Sequence, residues 1–445
     1  MSKNLREVAL KILIEINEKE AYSNLSINKK THGMDYRDSS FIREIVYGVI
    51  ENKLYIDWVI ESFSKIKLKK INNTVKEIIR IGIYQILFMD KVPDSAAVNE
   101  CVKISKKYSN KGAQGFINGI LRTIVRNKND IKLPDKSKDI KKYLSIKYSH
   151  PIWMINKWIE DFGLEFTEEL CKANNDKPKL NIRVNTLKIS RDELLNKLNE
   201  KNMNAIKTYY AEDGIVVNSP QNITETEEFK KGLFQIQDES SMLVAQIMNP
   251  KKNSVIIDVC SAPGGKSTHI AQKMNNEGKI ISRDIHEHKV KLINENASRL
   301  GINIINAQKF DALHIDESLI NKADYCLVDA PCTGLGLIRR KPDIKWRKEE
   351  GNIDEISRLQ YQILKNTSKY LKKGGILIYS TCTINKEENL NVITKFLDNN
   401  TEFKLLDFSD LIQNSEKITP KEGYIELFPN VHATDGFFIA KLIKM

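Results

Sequence analysis

The stretch that decides the fold runs from Val255 to Thr268 and reads VIIDVCSAPGGKST. It begins with a short apolar, β-branched run, which predicts a buried strand. The proline and paired glycines that follow allow the backbone to turn sharply and to approach a ligand closely. Lys266 then opens a helix whose unpaired amide groups point towards that ligand. We interpret the stretch as a strand–loop–helix unit that binds a nucleotide. Its glycine spacing differs from that of the dinucleotide fingerprint and of the P-loop.

Four more strands are predicted downstream, and a polar residue stands at or just after the end of each. They span Lys279–Asp284, Asn303–Gln308 with Asp311 just beyond, Ala323–Val328 before Asp329, and Gly375–Ser380 before Thr381. Helices are predicted at Glu287–Leu300 and Ile353–Leu371. This alternation predicts a parallel, doubly wound α/β sheet whose ligands lie at the carboxyl ends of the strands.

Two of the strand ends are followed by a cysteine, Cys332 and Cys382, which narrows the chemistry. Carbon 5 of a cytosine is a poor nucleophile until a thiolate adds to carbon 6. The ring then becomes an enamine that can attack an electrophilic methyl group. A base afterwards removes the carbon-5 proton, and the thiol is expelled. One cysteine suffices for the attack and a second can assist release, although both could instead be buried packing residues. Asp329, close to the first cysteine, could hydrogen-bond the cytosine edge.

Seven segments carry a resemblance to a known family. They are Asp258–Thr268, Asp284, Asp311, Asp329–Cys332, Arg339–Trp346, Ser380–Thr383 and Asp435–Phe438. They resemble the bacterial RNA cytosine-5 methyltransferases that use S-adenosylmethionine, and among these the RsmB (Sun) family of 16S rRNA enzymes. The resemblance implies a set of cofactor-binding residues, namely Cys260, Ser261, Ala262, Pro263, Gly264, Gly265, Lys266, Asp284, Asp311 and Asp329. Ser261 stands where the family usually has alanine, and both side chains are small.

The resemblance also implies a role for each cysteine. In the RNA enzymes of this family, the nucleophile is the cysteine of the Thr-Cys pair, here Cys382, and the cysteine of the Pro-Cys pair, here Cys332, promotes release. In the DNA cytosine-5 enzymes the Pro-Cys cysteine attacks instead, so the presence of both favours RNA. Asp329 would serve both the cofactor and the base. The group that removes the carbon-5 proton stays open between Asp329, the Cys332 thiolate and a water molecule.

A basic run follows the Cys332 loop. Arg339, Arg340 and Lys341 could be a solvated charge run, but their place just after that loop favours phosphate contacts at the rim of the cleft. Trp346 could stack on a base, although a lone tryptophan is more often packed.

The amino-acid composition limits the classes of protein to which the chain can belong. The chain has 445 residues, of which 41% are hydrophobic and 29% charged, as in globular proteins of two or three domains. No apolar run is long enough to span a bilayer, and the charged start of the chain is unlike a signal peptide. Six cysteines without a Cys-x-x-Cys pair predict neither a disulfide framework nor a zinc site. We therefore expect a reduced, cytoplasmic protein without a bound metal.

The positive charge is concentrated in one part of the chain. Residues 1–150 hold 29 Lys and Arg against 17 Asp and Glu, so the whole net charge of +12 falls there. Such a local basic excess is typical of proteins that bind a polyanion. The alternative is that lysines simply decorate solvated helices and linkers.

The N-terminal part, residues 1–130, has helical periodicity and no convincing strand, which predicts an all-α domain. Its segments Arg37–Phe41 and Val92–Glu100 resemble NusB, an RNA-binding antitermination factor. Enzymes of the RsmB family carry such a domain at their N-terminus, so the two resemblances support each other.

The remaining domains follow along the chain. Residues 131–149 are rich in lysine and aspartate and poor in apolar residues, which predicts a linker. Residues 150–240 are expected to form a small α+β subdomain, which in this family shapes the RNA cleft. Residues 241–445 are expected to form the Rossmann-like methyltransferase domain that uses S-adenosylmethionine.

The function expected from the resemblance is methylation of carbon 5 of one cytosine in 16S rRNA, before assembly of the small subunit buries it. We expect a monomer. A tRNA cytosine-5 enzyme is a second hypothesis, which the NusB-like domain disfavours. A non-catalytic RNA-binding protein is a third, and it predicts the loss of at least one of Asp284, Asp329, Cys332 and Cys382, all of which are present.

Overall fold

The computed structural model describes residues 4–19, 21–220 and 222–445. The chain divides into two compact units. The helical unit comprises Met1–Asp176 together with Ile338–Arg347, and the α/β unit comprises Lys177–Leu337 together with Lys348–Met445. We call Ile338–Arg347 the decapeptide. It interrupts the sequence of the α/β unit but belongs to the helical unit.

The helices in chain order are α1 (Leu5–Lys19), α2 (Ser23–Thr31), α3 (Tyr36–Glu51), α4 (Lys53–Phe63), α5 (Asn73–Phe88), α6 (Asp94–Tyr108), α7 (Lys111–Asn127), α8 (Ile140–Lys147), α9 (Ile152–Phe162), α10 (Leu164–Asn175), α11 (Arg191–Glu200), α12 (Glu227–Lys230), α13 (Glu239–Met248), α14 (Gly265–Lys273), α15 (Glu287–Leu300), α16 (Ile344–Arg347), α17 (Asn352–Ser368), α18 (Leu390–Asn399) and α19 (Pro429–His432). None of those in the described part of the chain has the length and apolarity that a bilayer span requires.

The strands in chain order are β1 (Leu180–Val184), β2 (Ala205–Lys207), β3 (Gly214–Val217), β4 (Phe234–Ile236), β5 (Val255–Asp258), β6 (Lys279–Asp284), β7 (Ile305–Lys309), β8 (Ala323–Asp329), β9 (Leu371–Thr381), β10 (Phe403–Leu405), β11 (Tyr424–Leu427) and β12 (Phe437–Lys444).

The helical unit is built from amphipathic helices that share one apolar core. Its buried residues recur at helical spacing, as in Leu10, Leu13, Ile45, Val49, Ile79 and Ile83. Helices α3 and α7 begin at Asp35 and Asn110, whose side chains accept hydrogen bonds from the backbone amides of Asp38 and Ala113. The described residues of 1–130 contain no strand, and the predicted all-α fold of this domain is confirmed.

The segment predicted to be a linker, residues 131–149, is partly helical. It contains α8, in which Leu144 is fully buried, and it continues into Ser149 and His150, which are also buried. The helical unit extends through α9 and α10 to Asp176. Low apolar content suggested a linker, but a few apolar side chains on one helix face are enough to pack a short helix.

A small antiparallel sheet lies at the start of the α/β unit, with strand order β2-β3-β1-β4. Its β1 alternates between two faces, as a half-buried strand does. Ile182 and Val184 pack against Leu194 and Leu198 in the core of this subdomain. Asn181 and Arg183 therefore lie on the opposite face.

The large sheet has the order β10-β12-β9-β8-β5-β6-β7, and β11 pairs with β12 at one side. Strands β9, β8, β5, β6 and β7 are parallel, whereas β12 is antiparallel to β9. The predicted doubly wound sheet is confirmed, and its strand β12 is antiparallel. Because β5, β8 and β9 are neighbours, the loops that follow them meet at one edge of the sheet.

Candidate active site at the carboxyl ends of the strands

The loop between β5 and α14 turns at Gly264, whose φ is +95°. A Cβ atom at this position would lie 3.2 Å from the Cα of Ile293 in α15, so the loop approaches that helix closely. The Gly264 amide donates to the Ser261 carbonyl at 2.7 Å, and the Ser261 amide donates to the Arg283 carbonyl at 2.8 Å. These contacts fix the loop at the carboxyl ends of β5 and β6.

Arg183 of β1 supports the start of α14. Its guanidinium is 1% exposed and donates to the Gly265 carbonyl and to the Thr268 hydroxyl. Burial lowers the pKa of Arg183 to about 9. No sequence motif pointed to Arg183, because nothing local indicates which face of β1 meets the helix.

A cavity of about 360 Å³ opens beside this loop. Five predicted cofactor residues line it: Cys260, Ala262, Asp284, Asp311 and Asp329. Apolar residues that sequence reasoning missed complete its wall, among them Ile285, Phe310, Leu313, Leu359 and Ile363. The other predicted cofactor residues, Ser261, Pro263, Gly264, Gly265 and Lys266, are not part of the lining. They shape the turn that bounds it.

Asp329, at the end of β8, is fixed by two partners. Its Oδ2 accepts a hydrogen bond from the Lys266 ammonium at 2.7 Å, and its Oδ1 accepts one from the Ser380 hydroxyl at 2.9 Å. The Lys266 ammonium also lies 5.1 Å from the ring centroid of Phe437. Lys266 therefore orients Asp329, which itself lines the cavity.

The two predicted cysteines lie together. The Sγ atoms of Cys332 and Cys382 are 3.0 Å apart. The register of the parallel pair β8 and β9, in which Asp329 lies opposite Ser380, brings the two following loops side by side. The hydrogen bond to Cys382, together with burial, raises the pKa of the Cys332 thiol well above its ordinary value.

A buried carboxylate that sequence reasoning missed ties the two cysteine loops together. Glu388 is fully buried, and its Oε2 accepts hydrogen bonds from the Thr333 amide at 2.8 Å and from Gln360 at 3.1 Å. Its Oε1 accepts hydrogen bonds from the Thr333 hydroxyl and from Asn385. No residue pattern in the sequence revealed this long-range contact.

Comparison with known proteins identifies the family. The NusB family model matches residues 3–126, the model of the RsmF/B-like ferredoxin-like domain matches residues 150–224, and the model "16S rRNA methyltransferase RsmB/F" matches residues 245–443. A Bacillus subtilis (strain 168) protein named "Probable ribosomal RNA small subunit methyltransferase B" is 38% identical, and the match covers 99% of each chain. The chain belongs to the RsmB family of methyltransferases.

Solved structures agree with this assignment. The crystal structure of PH0851 covers 100% of both chains with a TM-score of 0.83 and 27% identity. NSun6 from Pyrococcus horikoshii, solved with SFG, has a TM-score of 0.57 and 26% identity, and covers 69% of this chain and 98% of that one.

The cofactor of this RsmB-family protein is S-adenosylmethionine. The residues around the cavity fit such a group. Asp284 and Asp311 follow adjacent strands and offer carboxylate oxygens for ribose hydroxyls, while Phe310 and Leu359 offer an apolar surface for a purine.

The basic run lies in the decapeptide of the methyltransferase, and therefore in the helical unit. Arg339 and Arg340 are half-buried and Lys341 is exposed. Trp346 donates its indole N–H to the Ile50 carbonyl at 2.8 Å and packs against the helical core. The structure thus supports the packed interpretation of this tryptophan, and the stacking interpretation is not retained.

Metal ligation has no geometric basis in the part of the chain that the structure describes. No group of three or more His, Cys, Asp and Glu side chains there could hold an ion. Cys326 is fully buried among apolar side chains of the sheet, so it is a core residue.

Proposed function

We propose that the protein methylates carbon 5 of one cytosine in 16S rRNA through a covalent bond between Cys382 and carbon 6. The observation that carries this proposal is the 3.0 Å separation of the Cys332 and Cys382 sulfur atoms. Two thiols at adjacent strand ends, next to a carboxylate that also lines the cofactor cavity, suit the thiol addition and expulsion that this reaction requires.

Each residue of the site has a separate role in this reaction. Cys382 adds to carbon 6, and the raised pKa of Cys332 keeps that second thiol protonated, so its S–H can donate to the Cys382 thiolate. Asp329, oriented by Lys266 and Ser380, holds the cytosine edge. After methyl transfer, a base removes the carbon-5 proton, and Cys332 promotes expulsion of the Cys382 thiol. Bound S-adenosylmethionine supplies the electrophilic methyl group.

The RNA contacts are assigned to separate parts of the chain. Residues 1–130 bind structured rRNA, residues 150–240 shape the cleft and residues 241–445 carry catalysis. The basic excess of residues 1–150 supports the first assignment. Arg339, Arg340 and Lys341 contact phosphates. The substrate is 16S rRNA that carries few ribosomal proteins, because the target base must leave its stack and a fully assembled subunit would not release it. The reaction takes place in the cytoplasm.

The test is methyl transfer from labelled S-adenosylmethionine to protein-free 16S rRNA, with tRNA in parallel. Wild type is compared with Cys382→Ala, Cys332→Ala and Cys326→Ala, and a denaturing gel detects protein–RNA adducts. We expect Cys382→Ala to lose transfer by at least about 1,000-fold, since it lacks the nucleophile. Cys332→Ala should accumulate a protein–RNA adduct. The buried core variant Cys326→Ala should keep wild-type transfer and accumulate no adduct.

Other outcomes have definite meanings. An adduct in Cys382→Ala, with Cys332→Ala inactive and free of adduct, would reverse the two roles. Transfer to tRNA but not to 16S rRNA would replace the substrate. Full activity of Cys382→Ala would rule out the covalent mechanism.

A further inference from the structure

We propose that a second cavity of the α/β unit binds one unpaired nucleotide of the RNA that flanks the target cytosine. The inference rests on the proposed function. The cavity has a volume of about 390 Å³ and lies between the small sheet and the C-terminal segment of the same unit. It shares no lining residue with the cofactor cavity. Its size falls in the range of small-ligand sites.

The inner wall contains a polar side chain that is held in one orientation. Asn181 is 6% exposed, and its amide nitrogen donates to Asp238 at 2.9 Å. A carboxylate accepts but does not donate, so this bond fixes which end of the amide is nitrogen. The remaining atom, Oδ1, is buried and has no hydrogen-bond partner.

A buried carboxylate lies in the same wall. Glu239 is buried, and its Oε1 accepts hydrogen bonds from the backbone amides of Tyr210 and Ala211. The Glu239 carboxylate therefore gives the inner wall an acceptor group. A nucleobase that presents amino and imino donors on its Watson–Crick edge fits this wall, and guanine presents two adjacent donors.

The mouth of the cavity offers an aromatic surface. Tyr209 is 57% exposed and Ile206 is 53% exposed. The Tyr209 ring lies edge-on to the buried Tyr210, with centroids 4.9 Å apart, and the Tyr209 carbonyl accepts a hydrogen bond from Asn414 at 2.8 Å. The tyrosine is thus held in place while staying accessible. Stacking of a base on such a ring is a main source of affinity for single-stranded RNA.

Three cationic residues surround the opening, Lys179, Arg191 and Lys207. Lys207 pairs with Asp192 at 2.6 Å, and both side chains are largely exposed. A pair in water contributes little to stability, so a phosphate can replace the aspartate at low cost. The opening therefore suits the phosphate of a nucleotide whose base lies inside.

The wall of the cavity is continuous with the backbone around Cys382. Ala433 lines the cavity, and a few residues later the Gly436 amide donates to the Gly336 carbonyl at 2.9 Å. The Gly336 amide in turn donates to the Cys382 carbonyl at 3.0 Å. A strand of RNA that delivers a cytosine to Cys382 therefore has a second subsite within the same unit.

The experiment uses the full chain and protein-free 16S rRNA. We expect Tyr209→Ala to raise both the Kd and the KM for this RNA by about 10-fold, as the loss of one stacked base does. Tyr209→Phe keeps the ring and should weaken binding far less. Lys207→Ala should weaken binding and reduce its dependence on salt. The KM for S-adenosylmethionine should stay at the wild-type value in all three.

The control is Lys230→Ala. Lys230 is another exposed lysine of the small-sheet subdomain that pairs with a carboxylate, Glu225, at 3.2 Å, but it does not line the cavity. Its loss should leave RNA binding unchanged. Ultraviolet crosslinking of wild type to the RNA, followed by peptide mapping, should recover the peptide that contains Tyr209.

Two results would overturn the subsite. One is equal RNA affinity for wild type and Tyr209→Ala, and the other is an equal loss in Lys230→Ala and Lys207→Ala. Filter binding and crosslinking do not require turnover. A wild type that binds 16S rRNA through Tyr209 without methylating it would therefore refute the proposed reaction and leave the subsite standing.

Discussion

Asp258, the last residue of β5, carries a carboxyl group that is buried in the protein core. It is fully buried, its Oδ2 accepts a hydrogen bond from the Ser267 hydroxyl, and its Oδ1 has no partner. Burial raises the pKa of Asp258 from 3.8 to about 7, although the bond from Ser267 opposes this. A carboxyl at the start of the cofactor loop is therefore largely protonated in mildly acidic solution.

This shift predicts a pH dependence of stability. The folded-state pKa lies above the unfolded-state value, so the folded protein holds the extra proton between pH 3.8 and about 7. The stabilisation is complete below pH 3.8 and is lost as the pH rises through 7. Asp258→Asn stays neutral and should gain stability relative to wild type by up to about 1.4 kcal/mol per pH unit in this window. Urea unfolding from about pH 5 to pH 8 measures it, and parallel curves for the two proteins would contradict it.

At the scale of residues, sequence patterns found the groups that stand at strand ends. Asp284, Asp329 and Cys382 could be predicted because a strand that ends in a loop fixes their place along the chain. Arg183 and Glu388 could not, because their partners lie far away in sequence and a buried charge leaves no periodic signal. Lys266 was expected at the cofactor, yet its ammonium binds Asp329.

Two loops act as one element at the active site. The loop after β8 carries Cys332 and the loop after β9 carries Cys382, and Glu388 accepts hydrogen bonds from both through Thr333 and Asn385. In Glu388→Gln, the new amide NH2 group would face Thr333 or Asn385, whose N–H groups are themselves hydrogen-bond donors. We expect the thiols to lose their alignment.

The predicted consequence is a loss of turnover with little effect on cofactor affinity. A displacement of about 1 Å costs roughly 100-fold in rate, so kcat should fall by that order in Glu388→Gln. Introduced into Cys332→Ala, the change should slow adduct formation on the denaturing gel, which a merely less stable protein would not do below its unfolding temperature. Glu402→Gln, at an exposed glutamate, is the matched control. A wild-type adduct rate would remove Glu388 from any positioning role.

Among the elements, the fifth parallel strand was expected at Gly375–Ser380 and lies at Leu371–Thr381, so its first four residues were missed. The first, second and fourth parallel strands could be predicted closely and the third less so. That strand was expected at residues 303–308 and lies at Ile305–Lys309. Its exposed members make its apolar pattern weak, since it is an edge strand. The helix predicted at Glu287–Leu300 has those bounds, because its amphipathic pattern ends at Gly301 in a left-handed C-cap.

At the scale of the whole molecule, the decapeptide is the segment whose contacts the sequence did not predict. Its basic run was expected at the rim of the catalytic cleft. Three of its side chains enter the helical unit. The Ser23 hydroxyl donates to Asp343 at 2.6 Å, Lys345 donates to the Glu51 carbonyl at 2.8 Å, and Trp346 contacts Ile50. These contacts join residues about 300 positions apart, and no local pattern of charge or hydrophobicity encodes them.

Trp346→Ala tests what this anchoring does. The decapeptide continues directly from the loop that carries Cys332, so loosening its anchor should disturb that loop as well as the helical unit. We expect a stability loss of about 2 kcal/mol, near the low end for core aromatics because Trp346 is half-buried. Methylation of 16S rRNA should fall, while affinity for S-adenosylmethionine should hold, since the cofactor cavity belongs to the α/β unit.

Trp58→Ala is the control that separates a general loss of protein stability from a loss of positioning of the Cys332 loop. Trp58 also lies in the helical unit and also donates its indole N–H to a backbone carbonyl, that of Lys132, at 2.9 Å, but it has no contact with the decapeptide among those that the structure describes. At matched fractions of folded protein, Trp346→Ala should methylate more slowly than Trp58→Ala. If both lose activity only in proportion to unfolding, the decapeptide is an ordinary packing segment. If Trp346→Ala alone loses turnover, packing of the decapeptide also supports the Cys332 loop, which precedes it in the chain.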